Sequence, residues 1–202
     1  MISAIITDFD GTLVDTFEAN LRAYQKAFNG VGLNLTAEKY RQCFGYRFER
    51  FMTAAGINDE KTWNYIREAK KDYYPQFFDY LKPNKALIEL IDGFHRMGGK
   101  TAIASTARKE NLMNVVNHLG VGEIFDLIYA GIDVNQGKPS PEIYLKSMEA
   151  LGVNPDETLI FEDSEVGIEA AKASGANYMI IIPDQFNNYI WNSKLKATLA
   201  VS

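Results

Sequence analysis

The sequence is poor in cysteine and has no long apolar run. Cys43 is the single cysteine among 202 residues, so no disulfide can form within the chain, and we expect a small buried thiol in a reducing compartment. No apolar run approaches the roughly 20 residues that a membrane helix needs. The amino terminus enters a strand-like run without a basic leader region. We therefore expect a cytoplasmic protein with no membrane partner.

Basic charge is scarce as well. The chain has 21 Lys and Arg against 26 Asp and Glu, which gives a net charge of -5. Proteins that bind nucleic acid need a basic face to neutralise phosphates, so we expect no nucleic-acid partner. The fractions of hydrophobic (47%) and charged (23%) residues are those of an ordinary globular protein, which argues against the disordered and fibrous classes.

Short apolar runs alternate with helical patterns along most of the chain. Strand-sized runs cover residues 1–6, 101–104, 126–129, 159–161 and 178–182. Helical patterns cover residues 84–97, 110–118, 141–151 and 164–174. This alternation predicts an α/β fold in which a parallel sheet has helices on both faces. The first run shows no polar alternation, as expected for a strand buried on both sides.

Residues 16–81 break the alternation. Apolar side chains recur there at helical spacing in two stripes, and charged residues fill the positions between them. The stripes consist of Phe17, Leu21, Tyr24 and Phe28, and of Trp63, Ile66, Tyr73 and Phe77. We predict a helical cap domain over residues 16–81, inserted into a core domain made of residues 1–15 and 82–202, with the aromatic stripes forming the core of the cap.

The stretch "ITDFDGTLVDT" places two aspartates directly after the first strand. Side chains two residues apart in an extended chain point the same way, so Asp8 and Asp10 are expected to project together. Two carboxylates that close repel each other. Either one is protonated or a positive group stands between them.

The carboxyl ends of the other strands carry further polar residues. Ligands bind beyond these ends in open parallel sheets, and the residues there are Ser105, Thr106, Glu162 and Asp163, with Lys138 in "QGKPSPEIY" shortly after a third strand. Carboxylate oxygens without nearby Cys or His favour Mg²⁺ over zinc. A lysine and a hydroxyl suit phosphate. The set therefore predicts magnesium-assisted phosphate chemistry.

The first motif also offers main-chain groups. Backbone N–H groups around Phe9, Gly11 and Thr12 could complete a phosphate cradle, since Gly11 permits the bend they need. Asp8 is the natural nucleophile, because a carboxylate can form an aspartyl phosphate. Asp10 could then protonate the leaving oxygen and deprotonate the attacking water.

Glu162 and Asp163 are adjacent and cannot do the same job. Neighbouring side chains at a strand end diverge, so one is expected to bind metal directly while the other acts from behind it or through water.

Four stretches together resemble the haloacid dehalogenase superfamily, in the branch with a helical cap after the first motif. "DFDGTLVDT", "IAST", "GKPSPEIY" and "IFEDSEVGIEAAKASG" match its four motifs in order. The resemblance implies a Rossmann-like core with an inserted α-helical cap. It implies Asp8 as nucleophile and metal ligand, Asp10 as acid/base and main-chain metal ligand, and Asp163 as magnesium ligand, with Glu162 supporting the metal site from behind. The implied phosphate ligands are Ser105 and Lys138, and we add Gly11, Thr12 and Thr106 as candidates.

The resemblance extends to phosphatases of sugar phosphates and phosphoglycolate and to β-phosphoglucomutase. In the mutase a histidine follows the first motif, where this sequence has Asn20, and the cap arginine is displaced to Arg47. We therefore predict a phosphatase of a small phosphorylated metabolite, with Mg²⁺ as cofactor, acting as a monomer or homodimer. Asn20 and Arg47 are the candidate cap residues for substrate recognition.

Three alternatives remain at this point: a phosphosugar mutase, a sugar-phosphate-binding regulator without turnover, and a receiver-type signalling domain. A receiver domain has no helical insertion and no acid/base two residues after its phosphoacceptor, so residues 16–81 and Asp10 argue against it.

Overall fold

The computed structural model describes residues 1–182 of the chain, so residues 183–202 of the predicted core domain lie outside the described part. The chain divides into two units. The sheet unit comprises Met1–Asp15 and the chain from Pro83 onward, and the helical unit comprises Thr16–Lys82.

A five-stranded parallel sheet forms the centre of the sheet unit. Its strands are β1 (Ala4–Thr7), β4 (Lys100–Ala104), β5 (Leu127–Tyr129), β6 (Thr158–Glu162) and β7 (Asn177–Ile180). They lie in the order β5-β4-β1-β6-β7, and each neighbouring pair is parallel. Two further strands, β2 (Val14–Asp15) and β3 (Lys82–Pro83), form a separate two-stranded sheet. The predicted parallel α/β sheet is confirmed.

The central strands are buried on both faces, as the unbroken apolar runs predict. Ala4 and Ile6 of β1 belong to one hydrophobic cluster with Ile143 and Ala170 of the helices after β5 and β6. Ile5, which points to the opposite face, is also fully buried. Strands covered on both sides place their polar neighbours only at their ends, and this concentrates charge at one edge of the sheet.

Four longer helices accompany the sheet. They are α5 (Lys85–Arg96), α6 (Lys109–Leu119), α7 (Glu142–Leu151) and α8 (Glu165–Ala173). Each lies within two residues of its predicted bounds at either end. None of the helices in residues 1–182 combines the length and hydropathy that crossing a membrane requires.

The helical unit contains α1 (Phe17–Asn29), α2 (Ala37–Cys43), α3 (Phe48–Ala54) and α4 (Glu60–Tyr73), followed by a 3₁₀ segment, Tyr74–Tyr80. The aromatic stripes do form its core: Leu21, Phe28 and Ile66 are buried in one cluster, with Phe17 and Trp63 packed against it. Cys43 is a free, buried thiol, as expected.

The prediction for the second stripe was wrong at its C-terminal end. We expected Phe77 to continue the helix of Trp63, but α4 stops at Tyr73 and Phe77 has non-helical angles (φ -116°, ψ 16°). Pro75 explains the difference, because proline lacks an N–H and clashes with the carbonyl four residues earlier.

Asn84 joins the start of α5 to residues Thr12 and Leu13, which follow the two aspartates of the first motif. Its Oδ1 accepts from the Leu87 N–H at 3.2 Å and caps α5, while its Nδ2 donates to the Thr12 carbonyl at 3.2 Å. The Asn84 N–H also donates to the Leu13 carbonyl at 2.9 Å. Because Asn84 is fully buried, water cannot replace these bonds if the side chain is lost.

We predict that Asn84→Ala lowers the stability of the protein by about 2 kcal/mol, since it removes a helix cap and a buried hydrogen bond. For a chain of this size that corresponds to roughly 4–8 °C in Tm. Asn84→Ser keeps a cap acceptor without placing a charge in the buried site, and is expected to lose less. Thermal unfolding followed by circular dichroism checks this, and an unchanged Tm in Asn84→Ala would contradict it.

Candidate active site

Side chains from separate strands meet at the carboxyl edge of the sheet. Asp8 follows β1, Ser105 follows β4, and Glu162 and Asp163 lie at the end of β6. Lys138 comes from the loop between β5 and α7. The parallel strands bring these residues together, although they are far apart in sequence.

Lys138 is the centre of the site. Its Nζ lies 2.5 Å from Asp8 Oδ1 and 2.5 Å from Glu162 Oε1, and it also donates to the Ala104 carbonyl at 3.1 Å. The side chain is 3% exposed. A buried ammonium is tolerated here because it pairs with charged and polar acceptors on every side.

Glu162 is fully buried and accepts from five donors. Its Oε1 accepts from Lys138 Nζ and from Tyr144 Oη, the latter at 2.7 Å. Its Oε2 accepts from the N–H groups of Asp163 and Ser164 and from Ser164 Oγ, at 3.0 to 3.1 Å. The carboxylate therefore has little capacity left for a further ligand.

The close approach of α8 to Glu162 depends on Gly167. A Cβ at this position would lie 1.9 Å from Glu162 Oε1. Ser164 caps the same helix by accepting from the Gly167 N–H at 3.1 Å. The glycine in "EVGIE" thus makes room for the glutamate.

The aspartate motif lies in a tight turn and not in the strand, because β1 ends at Thr7. The N–H of Val14 donates to the Phe9 carbonyl at 3.0 Å, and the N–H of Gly11 donates to the Val14 carbonyl at 2.8 Å. Asp10 forms a bridge with Val14. The direction of Asp10 is therefore set by this turn and does not follow from strand alternation with Asp8.

Gly11 and Thr12 contact the site differently from what we expected. The Gly11 N–H is already engaged in the turn, so the structure does not support it as a phosphate donor. Gly11 has φ +94°, and a Cβ there would lie 2.2 Å from Asp163 Oδ2. Thr12 Oγ1 donates to Asp163 Oδ1 at 2.7 Å. Both residues shape and hold the position of Asp163.

Ser105 is buried, and its Oγ accepts from the Ala107 N–H at 3.1 Å. The hydroxyl proton of Ser105 is thus left to donate elsewhere. Thr106 is partly exposed in the same loop. Gly131 allows the following loop to approach it, since a Cβ on Gly131 would lie 2.6 Å from the Thr106 carbonyl oxygen.

The charges at the site do not balance. Asp8, Glu162 and Asp163 are three carboxylates, and Lys138 supplies one ammonium to them. Burial, together with repulsion from Glu162, raises the pKa of Asp8 well above its ordinary value. Burial also raises the pKa of Asp163 to about 7, although the hydrogen bond from Thr12 opposes this. Without a further cation, ionisation of Asp8 and Asp163 is therefore unfavourable.

Glu162 and Lys138 behave as an ion pair. Burial would raise the pKa of Glu162, but the charge and hydrogen bond of Lys138 outweigh it and leave the pKa below its ordinary value. Burial would lower the pKa of Lys138, but attraction by Asp8 and Glu162 keeps it well above its ordinary value. The single ammonium thus compensates Glu162 and leaves Asp8 and Asp163 in excess.

The excess of negative charge fits a divalent cation. One carboxylate oxygen from each of Asp8, Glu162 and Asp163 lies within 4.8 Å of the others. Such hard oxygen donors suit a divalent metal. Since the oxygens of Glu162 are occupied by protein donors, Asp8 and Asp163 are the side chains better placed to bind it.

The remaining candidates lie in the helical unit. Asn20 is a buried residue of α1, and Arg47 is exposed immediately before α3. Their contact with substrate stays a prediction.

Two residues of this site were not singled out from the sequence. Tyr144 reaches Glu162 from α7, and Asn84 holds the Thr12 turn. Asn84 precedes an apolar helical run, so its capping role was readable from the pattern. Nothing in the spacing of Tyr144 indicates a polar contact, because its neighbours on α7 face the apolar core.

The chain is similar to known proteins over most of its length. The model of the "Haloacid dehalogenase-like hydrolase" family matches residues 5–181. A "Phosphorylated carbohydrates phosphatase" of Thermotoga maritima is 30% identical over 178 residues, which cover 86% of this chain and 82% of the relative.

Two solved structures are similar as well. CbbY from Rhodobacter sphaeroides, a mutant in complex with xylulose-(1,5)bisphosphate, has a TM-score of 0.78 and 30% identity, covering 89% of this chain and 86% of its own. A β-phosphoglucomutase from Clostridium difficile has a TM-score of 0.77 and 26% identity, covering 97% and 93%. The family match spans nearly all of the described residues and includes the four motif stretches. The chain therefore belongs to the haloacid dehalogenase-like hydrolase family.

Proposed function

We propose that this protein is a Mg²⁺-dependent phosphatase that hydrolyses a small phosphorylated metabolite, of the sugar-phosphate class, through an aspartyl phosphate on Asp8. The observation that carries the proposal is the position of Asp8, a buried carboxylate held 2.5 Å from Lys138 beside Asp163 at the edge of the sheet. The phosphatase name of the Thermotoga maritima relative supports the activity, and its name refers to phosphorylated carbohydrates.

Asp8 and Asp163 would hold the metal, with the main-chain carbonyl of Asp10. When bound, Mg²⁺ supplies positive charge that offsets the excess of carboxylates and the charge of the phosphoryl group. Glu162 would support the metal site without binding the metal directly, because its oxygens accept hydrogen bonds from Lys138, Tyr144 and the start of α8.

The chemistry follows from the two aspartates. An Asp8 oxygen attacks phosphorus while the ester P–O bond breaks. The leaving oxygen keeps the electron pair of that bond and takes a proton from Asp10. Asp10 then removes a proton from water, whose oxygen attacks phosphorus. The bond to Asp8 breaks, which releases phosphate and restores the carboxylate. Lys138 and Ser105 would donate to the phosphoryl oxygens throughout.

The helical unit would select the substrate. Asn20 and Arg47 of this unit are the candidate substrate contacts. A second candidate activity, that of a phosphosugar mutase, is favoured by the similarity to β-phosphoglucomutase. A test for isomerisation of glucose 1-phosphate, run beside a screen of phosphorylated metabolites for released phosphate, separates the two.

Asp8→Asn is expected to abolish hydrolysis of p-nitrophenyl phosphate, because an amide oxygen is a poor nucleophile and forms no aspartyl phosphate. Wild-type hydrolysis should require Mg²⁺ and stop with a chelator. Asp156→Asn, an exposed aspartate outside the site, serves as control and should keep its activity. A folded wild type that turns over no phosphate ester would instead favour a binding protein.

Asp10→Asn should slow turnover by roughly 10²-fold or more, the scale for loss of a general acid, while inorganic phosphate still binds. Steady-state kcat and the inhibition constant of phosphate measure the two effects separately. Equal kcat in the wild type and the variant would remove Asp10 from its proposed role.

Asp163→Asn tests the excess of charge. The folded protein favours neutral Asp163 up to about pH 7, whereas the unfolded chain ionises near pH 3.9. The metal-free wild type therefore loses stability as pH rises through this window, and a permanently neutral asparagine does not. With chelator present, we compare the Tm of Asp163→Asn with that of the wild type at each pH. The difference, variant minus wild type, should increase by roughly 4–8 °C from about pH 5 to about pH 8.5, which corresponds to about 2 kcal/mol of stability.

Added Mg²⁺ should raise the Tm of the wild type more than that of Asp163→Asn at the higher pH. Asp156→Asn is the control and should follow the wild type in both series. A Tm difference that does not change with pH would show that Asp163 is not held as a buried, uncompensated acid.

A further inference from the structure

Tyr144 is a buried hydroxyl that the proposed chemistry does not use. It lies on α7 and is fully buried, and its Oη donates to Glu162 Oε1 at 2.7 Å. The same oxygen accepts from Lys138, which also bonds Asp8. A continuous chain of hydrogen bonds thus runs from Tyr144 through Glu162 and Lys138 to the proposed nucleophile.

Lys138 has no spare donor in this arrangement. An ammonium has three N–H groups, and Lys138 directs them to Asp8, Glu162 and the Ala104 carbonyl. To bind a phosphoryl oxygen, it must release or share one of these bonds. The ease of that exchange depends on what the abandoned acceptor retains, because a buried acceptor without a donor is costly.

Glu162 can release the lysine at Oε1 and remain hydrogen-bonded. Its Oε2 keeps the donors at the start of α8. At Oε1, Tyr144 is the donor that remains among the described residues once Lys138 turns toward phosphate. Glu162 itself cannot follow the lysine easily, since α8 packs closely against it at Gly167.

We infer that the Tyr144 hydroxyl is a positioning group that weakens the hold of Glu162 on Lys138 and so frees the lysine to bind phosphate. Tyr144 acts through Glu162 and does not touch substrate. The inference rests on the proposed function, because it takes Lys138 as a phosphate ligand. A purely structural hydroxyl would affect stability without affecting phosphate affinity.

Tyr144→Phe isolates the hydroxyl. The ring keeps its packing against the core, and its centroid stays 5.0 Å from Lys138 Nζ. In the variant Glu162 Oε1 depends on Lys138 alone among the described donors, so the lysine should be held more firmly. The dissociation constant of inorganic phosphate, measured by calorimetry with Mg²⁺ present, should rise roughly fivefold, the scale of one net hydrogen bond.

The kinetics should change in the same direction. The KM for p-nitrophenyl phosphate should rise with the phosphate Kd, while kcat changes less than about twofold, since Tyr144 does not contact the reacting atoms. Ser147→Ala is the matched control. Ser147 is a buried hydroxyl one turn further along α7 that donates to the Ile143 carbonyl at 2.7 Å, so its loss should leave phosphate affinity unchanged.

Melting temperatures of both variants accompany the titrations and establish that they are folded. Phosphate affinity in Tyr144→Phe equal to that of an active wild type, or tighter, would overturn the inference and leave the proposed function intact. A folded wild type that neither binds inorganic phosphate nor hydrolyses any ester would overturn both.

Discussion

The site depends on one ammonium shared between two buried carboxylates. Lys138 reaches Asp8 and Glu162 at 2.5 Å each, and removing such charges from water is tolerated only because each is paired and hydrogen-bonded. The pairing also fixes the geometry of the edge, since it joins the end of β1, the end of β6 and the loop before α7. The compensation is incomplete, however. With Asp163 beside the pair, negative charge exceeds positive charge, and this excess makes the site receptive to a cation.

The two acids after β6 differ in their surroundings, although they are adjacent in sequence. Glu162 is saturated with protein donors and stays ionised. Asp163 has the hydrogen bond from Thr12, is partly exposed, and its pKa is raised. The residues alone suggested that one would bind metal and the other support it, and the resemblance implied Asp163 as the ligand. The count of donors supports that proposal. A carboxylate whose lone pairs are filled by its own protein serves as a fixed counter-ion, and one with open lone pairs serves as a ligand.

The fold could be predicted largely from the sequence because strands buried on both faces leave unbroken apolar runs, and because charge then collects where they end. Family resemblance agreed with that pattern. The errors have local physical causes. Pro75 ended a helix whose stripe continued in sequence, and the Gly11 amide is engaged in the turn that this glycine enables. Strands of two residues, such as Val14–Asp15, are too short to show a period. The contacts of Tyr144 with Glu162 and of Asn84 with Thr12 were not predicted, because the partner of a buried polar side chain depends on distances between elements, which periodicity does not encode.

A phosphatase and a phosphosugar mutase differ in which nucleophile, water or a sugar hydroxyl, reaches the phosphorylated aspartate. Water and a sugar hydroxyl both need a base, and the role proposed for Asp10 would serve either. At the position where the resemblance implies a histidine in the mutase, this chain has Asn20, a side chain that neither gains nor loses a proton near neutral pH. It can orient a substrate hydroxyl but cannot exchange protons with it. In the proposed mechanism Asn20 would therefore leave the proton transfers to Asp10, an arrangement that suits transfer to water.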